Sequence, residues 1–144
     1  MLLMSKLIDL TLKYWDTENC ARATACGLLD YYNHVSESKT MFKAILPFGG
    51  GIGEKSICGA VCGSLAALSF KLTELGLEKE TISEKATLFK EQFTARFGTL
   101  VCRELIEPYL LEDGTYALER RDSCTELVKE GVKLVDKIVE ESQA

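Results

Sequence analysis

Histidine and proline are scarce in this 144-residue chain, with one and two copies respectively. No Ser-His-Asp or HExxH arrangement can be built around His34, so the sequence argues against a hydrolase. We expect His34 on the surface, near the end of the second helix. Pro47 and Pro108 are expected to end or kink the segments that contain them, because proline cannot continue a regular helix.

Long apolar runs and basic patches are also missing. The longest apolar stretch, 57–70, contains two serines and is shorter than the roughly 20 residues that a membrane span needs. The N-terminus lacks a basic region followed by an unbroken apolar core, so we expect no signal peptide and a cytoplasmic protein. The net charge is −5 and the basic residues are scattered, which argues against a nucleic-acid partner.

Helical spacing of apolar residues dominates the chain, and no segment shows convincing strand alternation. We therefore predict an all-α protein, a single compact bundle of about six or seven helices in one domain over residues 1–144. The core stripes are expected from Ile82, Ala86, Phe89, Phe93 and Phe97, and from Val128, Val132, Val135 and Val139. The predicted helices cover 5–15, 18–34, 38–46, 56–76, 80–97, 99–111 and 120–141.

Cysteine is abundant, with six copies. In a reducing cytosol such thiols favour metal binding or transient redox chemistry over structural disulfides. Four of them fall where the sequence predicts the first turn of a helix, where unpaired N–H groups favour ionised sulfur. These four are Cys20, Cys58, Cys102 and Cys124, behind the expected caps Thr17, Ser56, Thr99 and Ser123. We interpret Cys26 and Cys62 as candidates for small buried apolar residues.

A glycine-rich segment, 48–56, precedes the second of these cysteines. It differs from a Walker A loop because Glu54 stands where the glycine before the lysine is required, and no strand precedes it. The segment is typical of a tight turn with positive φ angles. We expect the backbone N–H groups of Gly49, Gly50, Gly51 and Gly53 to form an anion-binding nest beside the thiols.

Five segments together resemble the C_GCAxxG_C_C family of redox-active proteins. They are Asn19-Cys20-Ala21, the glycine run at 48–53, Cys58-Gly59-Ala60-Val61-Cys62-Gly63, the segment 97–105, and Cys124. The family pattern reads Gly-Cys-Ala where this chain has Cys58-Gly59-Ala60. The resemblance implies that Cys20, Cys58, Cys102 and Cys124 are the shared thiols and that Cys26 and Cys62 are additional. It also implies a redox role and, from the gene neighbourhoods of its members, a membrane transporter as partner.

Two kinds of chemistry suit four such thiols. A tetrahedral thiolate site would hold Zn²⁺ or an iron–sulfur cluster, although the usual C-x2-C spacing is absent. A dithiol–disulfide couple would join Cys58 to Cys20, Cys102 or Cys124, because Cys58 and Cys62 on one regular helix are too far apart to pair. The alternatives are a non-enzymatic metal-binding or transporter-associated adaptor protein, and a helical domain whose cysteines only pack.

Overall fold

The computed structural model describes residues 2–143. Within that range the chain forms seven α-helices: α1 Leu2–Trp15, α2 Cys20–Tyr31, α3 Val35–Ala44, α4 Gly59–Glu74, α5 Lys79–Phe97, α6 Cys102–Ile106 and α7 Glu119–Gln143. Short 3-10 turns at Leu46–Phe48 and Glu107–Tyr109 and a π turn at Gly51–Lys55 join some of them. The all-α class is confirmed. The predicted count of six or seven helices is slightly low, because these short turns add to it.

Both prolines lie in the 3-10 turns that follow a helix. Pro47 lies in the turn after α3, and Pro108 lies in the turn after α6. A proline ring fixes φ and removes an N–H donor, so each of these helices ends before its proline. The third helix ends at Ala44, two residues before its predicted end, whereas the sixth ends at Ile106, five residues before the predicted end at 111.

The predicted helix starts are less accurate. α2 begins at Cys20 rather than near Thr17, because Asn19 caps it by accepting a 2.9 Å hydrogen bond from the N–H of Arg22. α4 begins at Gly59, with Cys58 in the cap position, and not at Ser56. α6 begins at Cys102 and not at Thr99, and α7 begins at Glu119, four residues before the predicted cap Ser123. Cys124 is consequently in the second turn of its helix.

Helix α2 is the centre of the bundle. It packs against α1, α3, α4 and α7, and its residues from Ala23 to Leu29 are buried without a break. A helix that is apolar on all sides must be covered on all sides. Its high alanine content keeps it thin enough for several neighbours to approach at once.

The crossing of α2 and α4 depends on one glycine. A Cβ atom at Gly63 would overlap the carbonyl oxygen of Ala21 and the hydroxyl of Thr24. The absence of a side chain at this position lets the two backbones come together, as small residues do at close helix crossings. This close approach brings the start of α4, with Cys58, next to the start of α2, with Cys20.

The apolar stripes of α5 and α7 complete the core. Phe89 and Phe93 are fully buried, and Ile82 and Phe97 pack against them from partly exposed positions. All four predicted valines of α7 are buried as well. Ala86 is only half-buried and lies outside this core. No helix within residues 2–143 combines the length and apolar character needed to cross a membrane.

His34 differs from its predicted surface position. Its side chain is 22% exposed, its ring packs edge-on against Phe70 with centroids 5.1 Å apart, and its Nδ1 lies 3.9 Å from Glu37 Oε1. The residue occupies the cap position of α3 rather than the last turn of α2. The α2–α3 connection folds it against α4, and the sequence gives no sign of that contact.

Candidate functional site: a cavity lined by four cysteines

Cys20, Cys58, Cys102 and Cys124 line one cavity of about 210 Å³. Their thiols are free; Cys58 is buried, at 5% exposure, and the other three are half-buried. The wall between them is mainly apolar. It includes Trp15, Ala60, Leu105, Ile106 and Leu127. Four stretches of chain that are distant in sequence thus present sulfur to the same space, which we call the four-cysteine cavity.

A short backbone pairing connects Cys58 to Cys102. The N–H of Cys58 donates to the carbonyl of Leu100 at 2.8 Å, and the N–H of Cys102 donates to the carbonyl of Ser56 at 2.6 Å. This antiparallel bridge, centred on Ile57 and Val101, is the backbone clasp of the cavity. It also explains the late starts of α4 and α6, because Ile57 and Val101 pair with each other just before the two helices begin.

A second connection joins the end of α1 to the start of α7. The indole Nε1 of Trp15 donates to the hydroxyl of Thr125 at 2.8 Å, and Arg121 donates to the Trp15 carbonyl at 2.6 Å. The same guanidinium lies 3.9 Å from the indole ring centroid, within cation–π range. This side-chain clasp holds the loop before Cys20 against the turn that carries Cys124.

Gly59 makes room for one of the sulfurs. A Cβ atom at this position would overlap Cys20 Sγ and would lie 3.0 Å from the carbonyl oxygen of Phe48. Cys20 therefore packs directly on the backbone of the residue after Cys58. The glycine between Cys58 and Ala60 is needed for the approach of these two cysteines.

Burial, rather than helix position, controls the ionisation of these thiols. Loss of solvent, followed by the neighbouring Cys20, raises the pKa of Cys58 to about 12, against the N–H groups of Ala60 and Val61, which lower it. Burial also raises the pKa of Cys102 and of Cys124. The expectation that first-turn positions make these thiols easy to ionise is therefore wrong for Cys58, Cys102 and Cys124.

Comparison with known proteins gives one family. Residues 18–138, which include all four cavity cysteines and both clasps except Trp15, match the family described as "Putative redox-active protein (C_GCAxxG_C_C)". The chain belongs to this family. Searches of curated proteins and of solved structures each gave no significant match. The family description refers to redox activity and names no substrate or cofactor.

The additional cysteines of this family member lie outside the cavity lining. Cys26 is fully buried on α2, where its Sγ contacts the carbonyl of Ser38 at 3.5 Å. Cys62 is half-buried on α4, and burial followed by the nearby Cys20 raises its pKa. The structure thus places at the cavity the four cysteines that the resemblance implied to be shared, and leaves the other two outside its lining.

The glycine segment touches the cavity at one point. Gly50 lines it, whereas Gly49 packs on Asn19, and Gly51 is buried against Ser56 and Cys102. Gly53 is exposed and outside the lining. The main contribution of the glycine segment to the cavity is a reversal of chain direction. Left-handed backbone produces this reversal at Gly50, Gly51, Ile52, Gly53 and Lys55. The anion nest remains a prediction.

Charged residues also reach the cavity. Arg120 and Arg121 line it, together with Glu18, whose carboxylate is held by Arg22 at 2.7 Å. Both arginines lie within four residues of Cys124 in the sequence. The position of Trp15 in the cavity lining was not predicted from the sequence. The one signal in the sequence is that Trp15 is the only tryptophan of the chain.

The donor set of the cavity is restricted to sulfur. Glu18 is paired with Arg22, Asn19 caps α2 through its side-chain oxygen, and His34 lies elsewhere; the remaining lining is apolar, basic or glycine. Within residues 2–143, no group of three or more His, Cys, Asp or Glu side chains is arranged to hold a metal ion. Any centre in the cavity would be held by cysteine thiolates.

Proposed function

We propose that the protein is a one-electron redox protein whose centre is an iron–sulfur cluster held by Cys20, Cys58, Cys102 and Cys124. One observation carries the proposal: the four family cysteines, drawn from four parts of the chain, line a single cavity. Four cysteine thiolates are the common ligand set of such clusters. When bound, the cluster would accept and donate single electrons.

The redox description of the family favours iron–sulfur over zinc. Zn²⁺ also accepts four thiolates, but it has no redox chemistry of its own. A zinc site would make the protein a structural or metal-binding module instead. The elemental content of the purified protein therefore separates the two.

Several groups of the chain are placed to support thiolate ligands. The N–H groups of Ala60 and Val61 point at Cys58 sulfur, and the Arg120 guanidinium acts on Cys102 and Cys124. Hydrogen bonds and positive charge near ligating sulfur stabilise the added electron. The apolar wall, with Trp15 and Leu127, limits the access of water to the sulfurs.

The second candidate is a dithiol–disulfide couple between Cys20 and Cys58, which the packing of Cys20 on Gly59 favours. In that reaction a partner disulfide accepts two electrons and two protons from the two thiols. The partner is released as a dithiol, and an S–S bond joins Cys20 to Cys58.

Anaerobic purification followed by iron, sulfide and zinc analysis tests the proposal. We expect iron and acid-labile sulfide in equal amounts, with visible absorption that dithionite bleaches. Zinc without iron would select the metal-binding alternative. Absence of metal, together with a Cys20–Cys58 disulfide that forms and opens with the redox buffer, would select the dithiol couple. Unreactive, metal-free thiols under oxidising and reducing conditions would reject both redox functions.

A further inference from the structure

Two cations share one aromatic ring next to the four-cysteine cavity. The Nζ of Lys55 lies 5.8 Å from the ring centroid of Tyr116, and the Cζ of Arg120 lies 5.5 Å from the same centroid. Lys55 ends the π turn, Tyr116 belongs to the bridge with Leu110, and Arg120 opens α7. Three separate parts of the chain thus bring two positive charges together, a group that we call the basic cluster.

Neither cation of the basic cluster is neutralised inside the described fold. Among residues 2–143, no carboxylate oxygen lies within 4.0 Å of Lys55 Nζ or of the Arg120 guanidinium. Of the other arginines near the cavity, Arg22 holds Glu18 and Arg121 binds Trp15, while Arg103 also acts on Cys102. Two like charges held near one ring repel each other, and an anion between them would remove that cost.

The basic cluster lies beside Cys102. The π turn that ends at Lys55 packs on this cysteine, since a Cβ at Gly51 would be 3.0 Å from Cys102 Cβ. The backbone clasp ties Cys102 to Ser56, the residue after Lys55. Arg120 and Cys102 line the same cavity. An anion held by the two cations would therefore contact the cavity at its Cys102 side.

We propose that Lys55 and Arg120 form a binding site for a small carboxylate or oxyanion beside Cys102. The proposal takes the cavity as the redox site described above, and it assigns an anionic class to the substrate of that site. A guanidinium matches the two oxygens of a carboxylate or oxyanion, and an ammonium adds a point charge. Tyr116 keeps both cations in place through its ring face.

The test compares a negative and a neutral thiol reagent at one cysteine. The same Cys102 thiolate attacks iodoacetate and iodoacetamide. The ratio of the two rates therefore reports the local charge, because the ionisation of the thiol affects both rates equally. The full-length protein is used in its reduced, metal-free form, and the rates at Cys102 are read by peptide mass. We expect iodoacetate to be favoured about tenfold over the ratio seen with glutathione. Inorganic phosphate should slow only iodoacetate, and 1 M salt should abolish the preference.

Variants assign the effect to the two residues. Lys55→Gln and Arg120→Gln should each lower the iodoacetate preference by about threefold, and the double variant by about tenfold. Lys90→Gln, an exposed cation on α5, is the matched control and should leave the ratio unchanged. The iodoacetamide rate checks that access to Cys102 is preserved.

A wild-type ratio equal to that of glutathione, or a ratio that neither Gln variant changes, would overturn the anion site. This measurement does not depend on the cluster. Iron and sulfide content decides the proposed redox centre, and the reagent ratio decides the basic cluster. A failure of one is therefore visible separately from a failure of the other.

Discussion

Two regions of this molecule hold buried sulfur, and they differ in what surrounds it. At Cys26 the packing is complete: its Sγ contacts the Ser38 carbonyl, and the Ser38 hydroxyl donates to the Cys26 carbonyl at 3.3 Å. At the four-cysteine cavity, the thiols face a space of about 210 Å³ and each other. Close packing alone explains the buried position of Cys26. It does not explain why four cysteines surround a cavity that protein atoms leave unfilled.

Burial alone does not separate the two regions. It raises the pKa of Cys26 to about 11 and that of Cys58 to about 12. The difference lies in the neighbours, because a second thiol, Cys20, adds to the shift at Cys58, whereas a hydrogen bond with Ser38 opposes the shift at Cys26. The first prediction therefore exchanges one sulfur in each region.

Replacing Cys58 by Ser should have the largest effect. We expect Cys58→Ser to reduce bound iron and sulfide at least tenfold, because one of four ligands is lost from the cavity. Cys26→Ser should retain both, since the new hydroxyl can still donate to the Ser38 carbonyl. Elemental analysis and visible absorption of both variants measure this. Equal iron content in the two variants would remove Cys58 from the proposed site.

Substitution of two glycines on α4 should distinguish an effect on the cavity from an effect on the fold. Gly59→Ala should lower bound iron several-fold, because the new methyl group displaces Cys20 Sγ. Gly63→Ala should instead destabilise the protein by about 3 kcal/mol, because the new methyl group meets backbone at the α2 crossing. Iron analysis and urea unfolding of both variants give the comparison. The reverse pattern would show that Gly59 serves the fold rather than the cavity.

The polar pair between α2 and α7 should affect stability and leave the cavity unchanged. The hydroxyl of Tyr32 donates to Asp136 Oδ1 at 2.8 Å, and Asp136 is 4% exposed. Tyr32→Phe leaves this carboxylate without its partner and should cost about 1–2 kcal/mol. Tyr31→Phe, the neighbouring control, should cost less. Urea unfolding measures both, and a loss of iron in Tyr32→Phe would contradict this separation.

The same pair predicts a pH dependence. Burial and Asp136 raise the pKa of Tyr32 above its ordinary value. A raised pKa in the folded state means that the contribution is complete below the unfolded tyrosine pKa of about 10 and is lost as the pH rises beyond it. The stability difference between wild type and Tyr32→Phe should therefore shrink in alkaline solution.

Helix content and the core stripes were predictable from apolar spacing, because that spacing is local. The positions of helix starts were less so. Thr17 and Ser56 have the side chains of good caps, but Asn19 also holds the Leu46 carbonyl at 2.9 Å, and residues 56–58 pair with 100–102 instead. In both places a contact with a distant segment outweighed the local cap preference.

The cavity was predicted in part. Its four cysteines were identified from their expected positions near helix starts and from the family pattern. The contact of Trp15 with Thr125 could not be predicted in this way, because the two residues are 110 positions apart in the sequence. The left-handed backbone at Ile52 and Lys55 was equally hidden, since neither residue type favours that conformation. Contacts of this kind follow from the assembled fold and leave no local pattern.

The backbone clasp has a mechanical consequence. Two hydrogen bonds tie the backbone around Cys58 to the backbone around Cys102. The end of α1, before Cys20, is tied to the start of α7, before Cys124, through Trp15 and Arg121. The cavity is therefore fastened at two separate places, once through backbone hydrogen bonds and once through side chains.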